Sequence, residues 1–374
     1  MALLAQSIPN VDVQQNPLRV LMLGPALEVR GGISAVERIL VASMPAHVAV
    51  SHVATMREGS KTAKLAVFMR SLVATWKRTR RGARPDVVHI HFASRASSVR
   101  KMALARLALR RGCKVVMHAH GGAYPEYWES LSVFGKRRVA ETLRAADALI
   151  VLGETWRAFF TRIGVPEERI VVLPNPVALP AALPSRLGAA RVTFVTLGLI
   201  AEAKGTFDLV EAVSRLAPET RSRLRVVIAG NGDHPGLLAR IGSHRLEDCI
   251  ETREWLDPAE RDALLASAEA FVLPSRHEGM PMALLEAMAW GLAPLCTPVG
   301  AIPEIVRHEA NGLLVAPRDV AALAGAMERL LDGELRARLG RAARQRAEPL
   351  AVESYARRLC QLYETVACTK SPSS

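Results

Sequence analysis

The chain is poor in several things that would place it in a familiar class. Its 374 residues include only five cysteines (Cys113, Cys249, Cys296, Cys360 and Cys368), an odd number without CxxC spacing. Scattered in this way they suit reduced thiols, with neither a disulfide framework nor a cysteine zinc site. Aromatic residues make up only 5% and no nucleic-acid motif occurs, so nucleic acid is not an expected partner. No stretch of about 18 uncharged apolar residues is present, so no membrane-spanning helix is expected. The opening segment MALLAQSIPNVDVQQ has neither a basic n-region nor a long apolar run. A secretory signal is therefore not expected, and a cytoplasmic place is.

What is present points to a globular protein of two parts. Half the residues are apolar, and the length suits two domains, each large enough for its own core. Charge is unevenly shared. Residues 1–180 hold 26 Lys and Arg against 12 Asp and Glu, and the remainder holds 23 against 24. A basic half beside a neutral one suggests an anionic partner for the first half, such as a membrane surface or a lipid-linked phosphate.

Short apolar runs alternate with helical stretches along the whole chain, the pattern of parallel α/β sheets. Strands are expected at Arg19–Leu23, Val48–Val53, Val87–His91, Val115–His118, Ala148–Leu152 and Ile170–Leu173. A Pro- and Ala-rich connector, Pro174–Ser185, follows. A second series is expected at Arg191–Leu197, Arg225–Ala229, Cys249–Thr252, Ala270–Leu273, Ala293–Cys296 and Gly312–Val315. The domains are thus expected at 1–180 and 181–350. Residues 351–374 would form a last helix and a Ser/Pro tail expected to be disordered.

Two glutamates, Glu278 and Glu286, stand eight apart in SRHEGMPMALLEAMAWG. The strand ending at Pro274 and a turn lead into a helix expected near Pro281, because Pro presets φ for a first helical turn. The bare N–H groups of such a helix start attract anions, phosphate above all. A carboxylate on either side of that anion site suits the hydroxyls of a sugar and a ribose. The segment therefore reads as a nucleotide-sugar site.

Other turns carry weaker signals. GPALEVRGGISAVERIL places Gly31 and Gly32 between the first strand and a helix, without the GxGxxG of a dinucleotide fold. VVMHAHGG ends the fourth strand with His118 and His120, whose spacing gives little support for a metal. LGLIAEAKGTFDLV places Gly198 and Lys204 after the seventh strand, where a Lys can reach a diphosphate. Lys61–Arg81 is basic and amphipathic, with Leu65, Phe68, Met69, Leu72, Val73 and Trp76 in one stripe. Such a helix either packs on the sheet or lies on an anionic bilayer.

The glutamate pair, the Gly-Gly turn, His120-Gly121, Lys204-Gly205, and the GAIPE and NGLL segments (residues 300–304 and 311–314) resemble, in order, the motifs of the family four retaining glycosyltransferases. The resemblance runs from about residue 20 to 320. It implies the GT-B fold, two Rossmann-like α/β domains with parallel sheets facing a central cleft. The first domain would bind the acceptor, the second the nucleotide sugar, and the last helix would cross back to the first. By the resemblance, Glu278 and His120 are catalytic. Gly31, Gly32, Gly198, Lys204, Gly279, Met280, Met282, Ala283 and Glu286 bind the donor. Without a carboxylate cluster of the DxD kind, no metal and no cofactor is expected. The implied reaction moves a hexose from a nucleotide-diphosphate sugar to a saccharide or lipid-linked saccharide, in bacterial surface or exopolysaccharide synthesis. Its setting would be the cytoplasm, at the inner face of the plasma membrane where the basic half meets anionic lipid. One departure stands out: the family's usual Arg after the glycine is Leu199 here. Two other readings stay open, a nucleotide-sugar epimerase of the same fold and a nucleotide-sugar-binding protein without turnover.

Overall fold

The computed structural model describes residues 16–186 and 191–369. The opening segment and the Ser/Pro tail discussed above lie outside the described residues. Two six-stranded parallel sheets carry the chain. The first contains β1 (Leu18–Pro25), β2 (Val48–Met56), β3 (Val87–Phe92), β4 (Val115–Ala119), β5 (Ala148–Val151) and β6 (Ile170–Val172) in the order β2-β1-β3-β4-β5-β6. The second contains β7 (Val192–Leu197), β8 (Leu224–Ala229), β9 (Ile250–Arg253), β10 (Ala270–Leu273), β11 (Ala293–Cys296) and β12 (Leu313–Leu314) in the order β12-β11-β10-β7-β8-β9. Every pairing is parallel, so helices must carry the chain back between strands and cover both faces. All twelve expected strands are present, with ends shifted by a few residues. The two parallel α/β sheets are those the resemblance implies.

The strand order fixes where ligands can sit. In an open parallel sheet a crevice opens at the carboxyl ends of the strands where the order reverses. The chain runs outward from β7 through β9, then restarts on the other side of β7 with β10. The crevice of the second sheet therefore lies between the turns that follow β7 and β10. In the first sheet the reversal lies between β1 and β3, beside the Gly31–Gly32 turn.

Packing ties the two sheets together. One apolar cluster runs from Leu21 and Phe92 through Trp156 and Phe160 to Met280, Leu284 and Ile302. The last helix, Val352–Cys368, lies on the first sheet: Tyr355, Leu359, Cys360 and Tyr363 pack with Val20, Met22 and Leu40. Glu304 makes a further bridge. Its carboxylate accepts from the backbone N–H groups of Glu154 and Thr155 at 2.8 and 2.9 Å. It thus caps the helix Glu154–Arg162, which has no capping side chain of its own. All five cysteines are free, four of them buried.

Candidate functional site

The turn after β10 forms as its sequence suggests. The helix Met282–Ala289 begins directly after Pro281, and no side chain among the described residues caps its start. Its first-turn N–H groups therefore keep their affinity for an anion. Six of its eight residues are buried, which holds this start rigidly against the sheet.

Glu278 lies in the preceding loop and is buried to 7% exposure. Lys204 Nζ donates to Glu278 Oε1 at 2.6 Å, and Ser275 Oγ donates to the same oxygen at 2.8 Å. A carboxylate so deeply placed needs such partners. Lys204 arrives on a short 3₁₀ turn that ends at Gly205, whose φ of 67° lies in the left-handed region. A Cβ on Gly205 would also fall 2.0 Å from the Pro274 carbonyl oxygen, so only glycine lets the two loops meet this closely. Sequence reasoning missed Arg276, which pins the same junction. Its backbone N–H donates to Ala203, and its guanidinium reaches Glu202 at 2.8 Å and Asp208 at 3.2 Å.

Glu286 faces a partner that sequence reasoning also missed. Arg261 Nη1 donates to Glu286 Oε1 at 2.8 Å. Burial pushes the Glu286 carboxyl up to about 7, with Arg261 pulling it down and Asp262 pushing it back up. Its side chain keeps 16% of its surface, so water softens this shift.

The first sheet supplies the facing wall. His120 follows β4, and its Nε2 lies 2.9 Å from His91 Nδ1. Burial, with Lys101 second, pushes the His120 imidazole down to about 3, so at neutral pH it is a neutral hydrogen-bonding group. The Glu278–Gly279 backbone touches the turn after His120. A Cβ on Gly279 would fall 2.5 Å from the His120 carbonyl oxygen, and one on Gly122 would fall 2.2 Å from the Glu278 carbonyl carbon. Gly279 and Met280 use their carbonyls here. Trp156 Nε1 donates to Gly279 at 3.4 Å and Asn175 Nδ2 to Met280 at 2.8 Å. Across the cleft, a Cβ on Gly32 would lie 3.9 Å from the Met282 side chain, so the Gly31–Gly32 turn faces the helix start.

Gly198 follows β7 with φ 146°, and Leu199 beside it is 48% exposed. A cavity of about 540 Å³ opens where the two sheets meet, lined by Gly122, Trp156, Arg276, His277, Glu278 and Gly300. A larger one, about 630 Å³, lies between the end of β9 and the helix Pro258–Ser267, and none of the expected site residues lines it. The buried Glu278 lines the smaller cavity.

The chain matches the family model "Glycosyl transferases group 1" over residues 186–346 and the model "Glycosyltransferase Family 4" over residues 34–179. It is 34% identical over 236 residues to the MMP alpha-(1->4)-mannosyltransferase of Mycolicibacterium hassiacum, over 61% of this chain and 56% of that protein. It is 32% identical over 281 residues to a glycogen synthase of Mycobacterium tuberculosis, over 72% of this chain and 66% of that protein. The match thus spans less than two thirds of these relatives' own length. Among solved structures, Anabaena Alr3699/HepE in complex with UDP-glucose superposes with a TM-score of 0.72 at 16% identity, over 93% of this chain and 99% of that one. At that identity the likeness is one of fold.

Proposed function

The chain belongs to the group 1 glycosyltransferases and has their GT-B fold, and from that premise we propose that it moves a hexose from a nucleotide-diphosphate sugar to a saccharide acceptor with retention at the anomeric carbon. The observation that carries this reading is the meeting of Lys204, Glu278 and the uncapped start of Met282–Ala289 at the reversal point of the second sheet.

In this reading the diphosphate rests on the N–H groups of Met282 and Ala283, with Gly198 at its side. Lys204 turns from Glu278 toward the phosphoryl oxygens. Fixed donors aimed at charge that develops on a leaving group are among the strongest sources of rate enhancement. Glu286 accepts the ribose hydroxyls, and Glu278 stands near the anomeric carbon as positive character grows there. His120, a neutral imidazole, bonds a sugar hydroxyl, and the Gly31–Gly32 turn closes over the donor. The cationic work falls to Lys204 and the backbone, so transfer proceeds without a divalent metal or cofactor. The named substrates of the relatives, a mannosyl transfer and a UDP-glucose complex, support a hexose donor.

The first domain would hold the acceptor, a lipid-linked saccharide of bacterial surface or exopolysaccharide synthesis at the cytoplasmic face of an anionic membrane. Two observations support this finer reading. The basic charge is concentrated in that domain. On its helix Lys61–Arg78, Leu65, Met69, Val73 and Trp76 are exposed among Lys64, Arg70, Lys77 and Arg78.

Release of nucleoside diphosphate from a panel of nucleotide sugars, with and without saccharide acceptors, tests the proposal. Acceptor-dependent release supports it. Interconversion of the donor alone would mark an epimerase, and binding without release a protein with no turnover.

A further inference from the structure

β3 and β4 lie side by side in register, His91 opposite His118. Alternation along each strand puts His89 and His91 on one face, with His118 and His120 beside them on the same face. The rings gather accordingly: centroids are 4.2 Å apart for His89 and His91, 4.8 Å for His91 and His118, and 5.3 Å for His89 and His118. All three are fully buried.

Their hydrogen bonding is uneven in an instructive way. His89 Nδ1 meets the Tyr363 hydroxyl at 2.6 Å, and His91 Nδ1 meets His120 Nε2 at 2.9 Å. The other nitrogens, His89 Nε2, His91 Nε2 and both nitrogens of His118, find no hydrogen-bond partner among the described residues. A buried polar atom left unpaired carries its full desolvation penalty, and four in one place need a common explanation.

We propose that His89, His91 and His118 bind a single divalent first-row transition-metal ion, with zinc the natural occupant. One ring nitrogen from each lies within 4.8 Å of the others. Zinc–imidazole bonds of about 2.0–2.1 Å bring tetrahedral donors to roughly 3.4 Å from one another, so the three side chains would draw together as the ion binds. Imidazole sets favour zinc, copper, nickel and cobalt over magnesium or calcium. A ligating histidine ordinarily bonds through one nitrogen while its other is fixed by an outer partner. His89 and His91 have that arrangement here, held by Tyr363 and His120. The buried Glu37 carboxylate lies 3.9 Å from His91 Nδ1, with its Oε1 unpartnered, and offsets the ion's charge. The buried Lys101 ammonium opposes it, and the ion must outweigh that repulsion.

The ion would be structural. It would clamp β3 to β4, hold the last helix through Tyr363, and fix His91 behind His120. This inference rests on the side-chain geometry and stands apart from the proposed reaction.

The test uses tag-free full-length protein, stripped with a chelator and titrated with Co²⁺ alone. One equivalent giving visible d–d absorption, displaced by one equivalent of Zn²⁺, is the expected result, together with a rise in melting temperature on adding Zn²⁺. His118→Asn should abolish the signal, and Tyr363→Phe should weaken affinity about 10- to 100-fold. His47→Asn, at an exposed histidine, should leave it unchanged. Wild-type protein that shows neither absorption nor a melting shift overturns the proposal, whatever the variants do. So does undiminished stoichiometric binding by folded His118→Asn.

Discussion

Lys204 and Glu278 lie 74 residues apart in the chain, and their charged atoms are 2.6 Å apart. The contact joins the turn after β7 to the turn after β10, the two turns that bound the crevice of the second sheet. In the unliganded protein each group keeps the other oriented; a bound diphosphate would draw Lys204 toward itself. Lys204→Met and Glu278→Gln should each lower kcat by roughly 10²- to 10³-fold, the usual effect of removing one preorganised charge. Because the two residues touch, the double variant should lose less than the product of the single losses. Steady-state rates on proteins of unchanged circular dichroism check both points, and near-normal rates would remove the two residues from the mechanism.

In the proposed reading, Glu286 should make donor binding pH-dependent. An ionised carboxylate accepts from ribose hydroxyls through both oxygens, and protonation turns one of those oxygens into a donor. Burial holds its folded pKa near 7, above the usual carboxylate range. The folded protein therefore holds a proton that the unfolded chain releases near pH 4.5, and the stability this contributes is lost progressively as pH rises from about 4.5 to about 7. Donor binding runs the other way. Specificity for the nucleotide sugar, kcat/KM, should rise up to about tenfold between pH 6 and 8, and Glu286→Gln should flatten that rise. A profile unchanged by the substitution would assign the titration to another group.

The sequence is legible where the signal is local. β10, its turn and the helix after Pro281 appear within a residue or so of their expected ends, because apolar runs and proline act on their own neighbourhood. The residues that organise the site are brought in from afar. Arg261 reaches Glu286 across 25 residues, Arg276 reaches Glu202 across 74, and Glu304 caps Glu154 across 150. No periodicity announces such pairs. The histidines teach the same lesson. His118 and His120 stand two apart in the chain, and His89 and His91 join them only through the register of β3 on β4. The apolar stripe of Lys61–Arg78 also divides: Phe68 and Leu72 pack on the core, whereas Leu65, Met69, Val73 and Trp76 stay exposed. Spacing defines a stripe without saying which part of it finds a neighbour.

Leu199 occupies the place where the family's arginine is expected, and its side chain is 48% exposed. A longer cationic chain at this exposed turn therefore displaces no packed neighbour. Leu199→Arg should leave kcat equal or raise it, with no loss of melting temperature. A large fall in activity would mean that the diphosphate is gripped in another way.

Gly122, in the turn after β4, lies against the Glu278 loop of the second sheet. An added Cβ would lie 2.2 Å from the Glu278 carbonyl carbon, a backbone atom that cannot swing aside. Gly122→Ala should push the Glu278 loop off the first domain and cost roughly 1–3 kcal/mol, as overpacking does. The catalytic loss should exceed what that destabilisation explains, because Glu278 itself moves. Thermal melts run beside kinetics separate the two effects. Normal activity in a stable variant would show that this contact does not set the geometry of the site.

The exposed row on Lys61–Arg78 gives the last prediction. Leu65, Met69, Val73 and Trp76 recur every three or four residues, so they share one side of the helix. Trp76 lies beneath Arg80, whose guanidinium carbon is 3.9 Å from the ring centroid, and Arg111 stands 5.1 Å away. No acidic residue lies within the helix, so its field is of one sign. Apolar side chains supply area to bury among lipid headgroups, and each basic residue near an anionic surface adds about 1 kcal/mol of attraction. Co-sedimentation with vesicles should therefore require anionic lipid and weaken with salt. The paired substitution Leu65→Ser with Trp76→Ser should reduce binding several-fold while leaving transfer to a water-soluble acceptor unchanged. Binding indifferent to lipid charge and salt would argue that this side of the helix meets something other than a membrane.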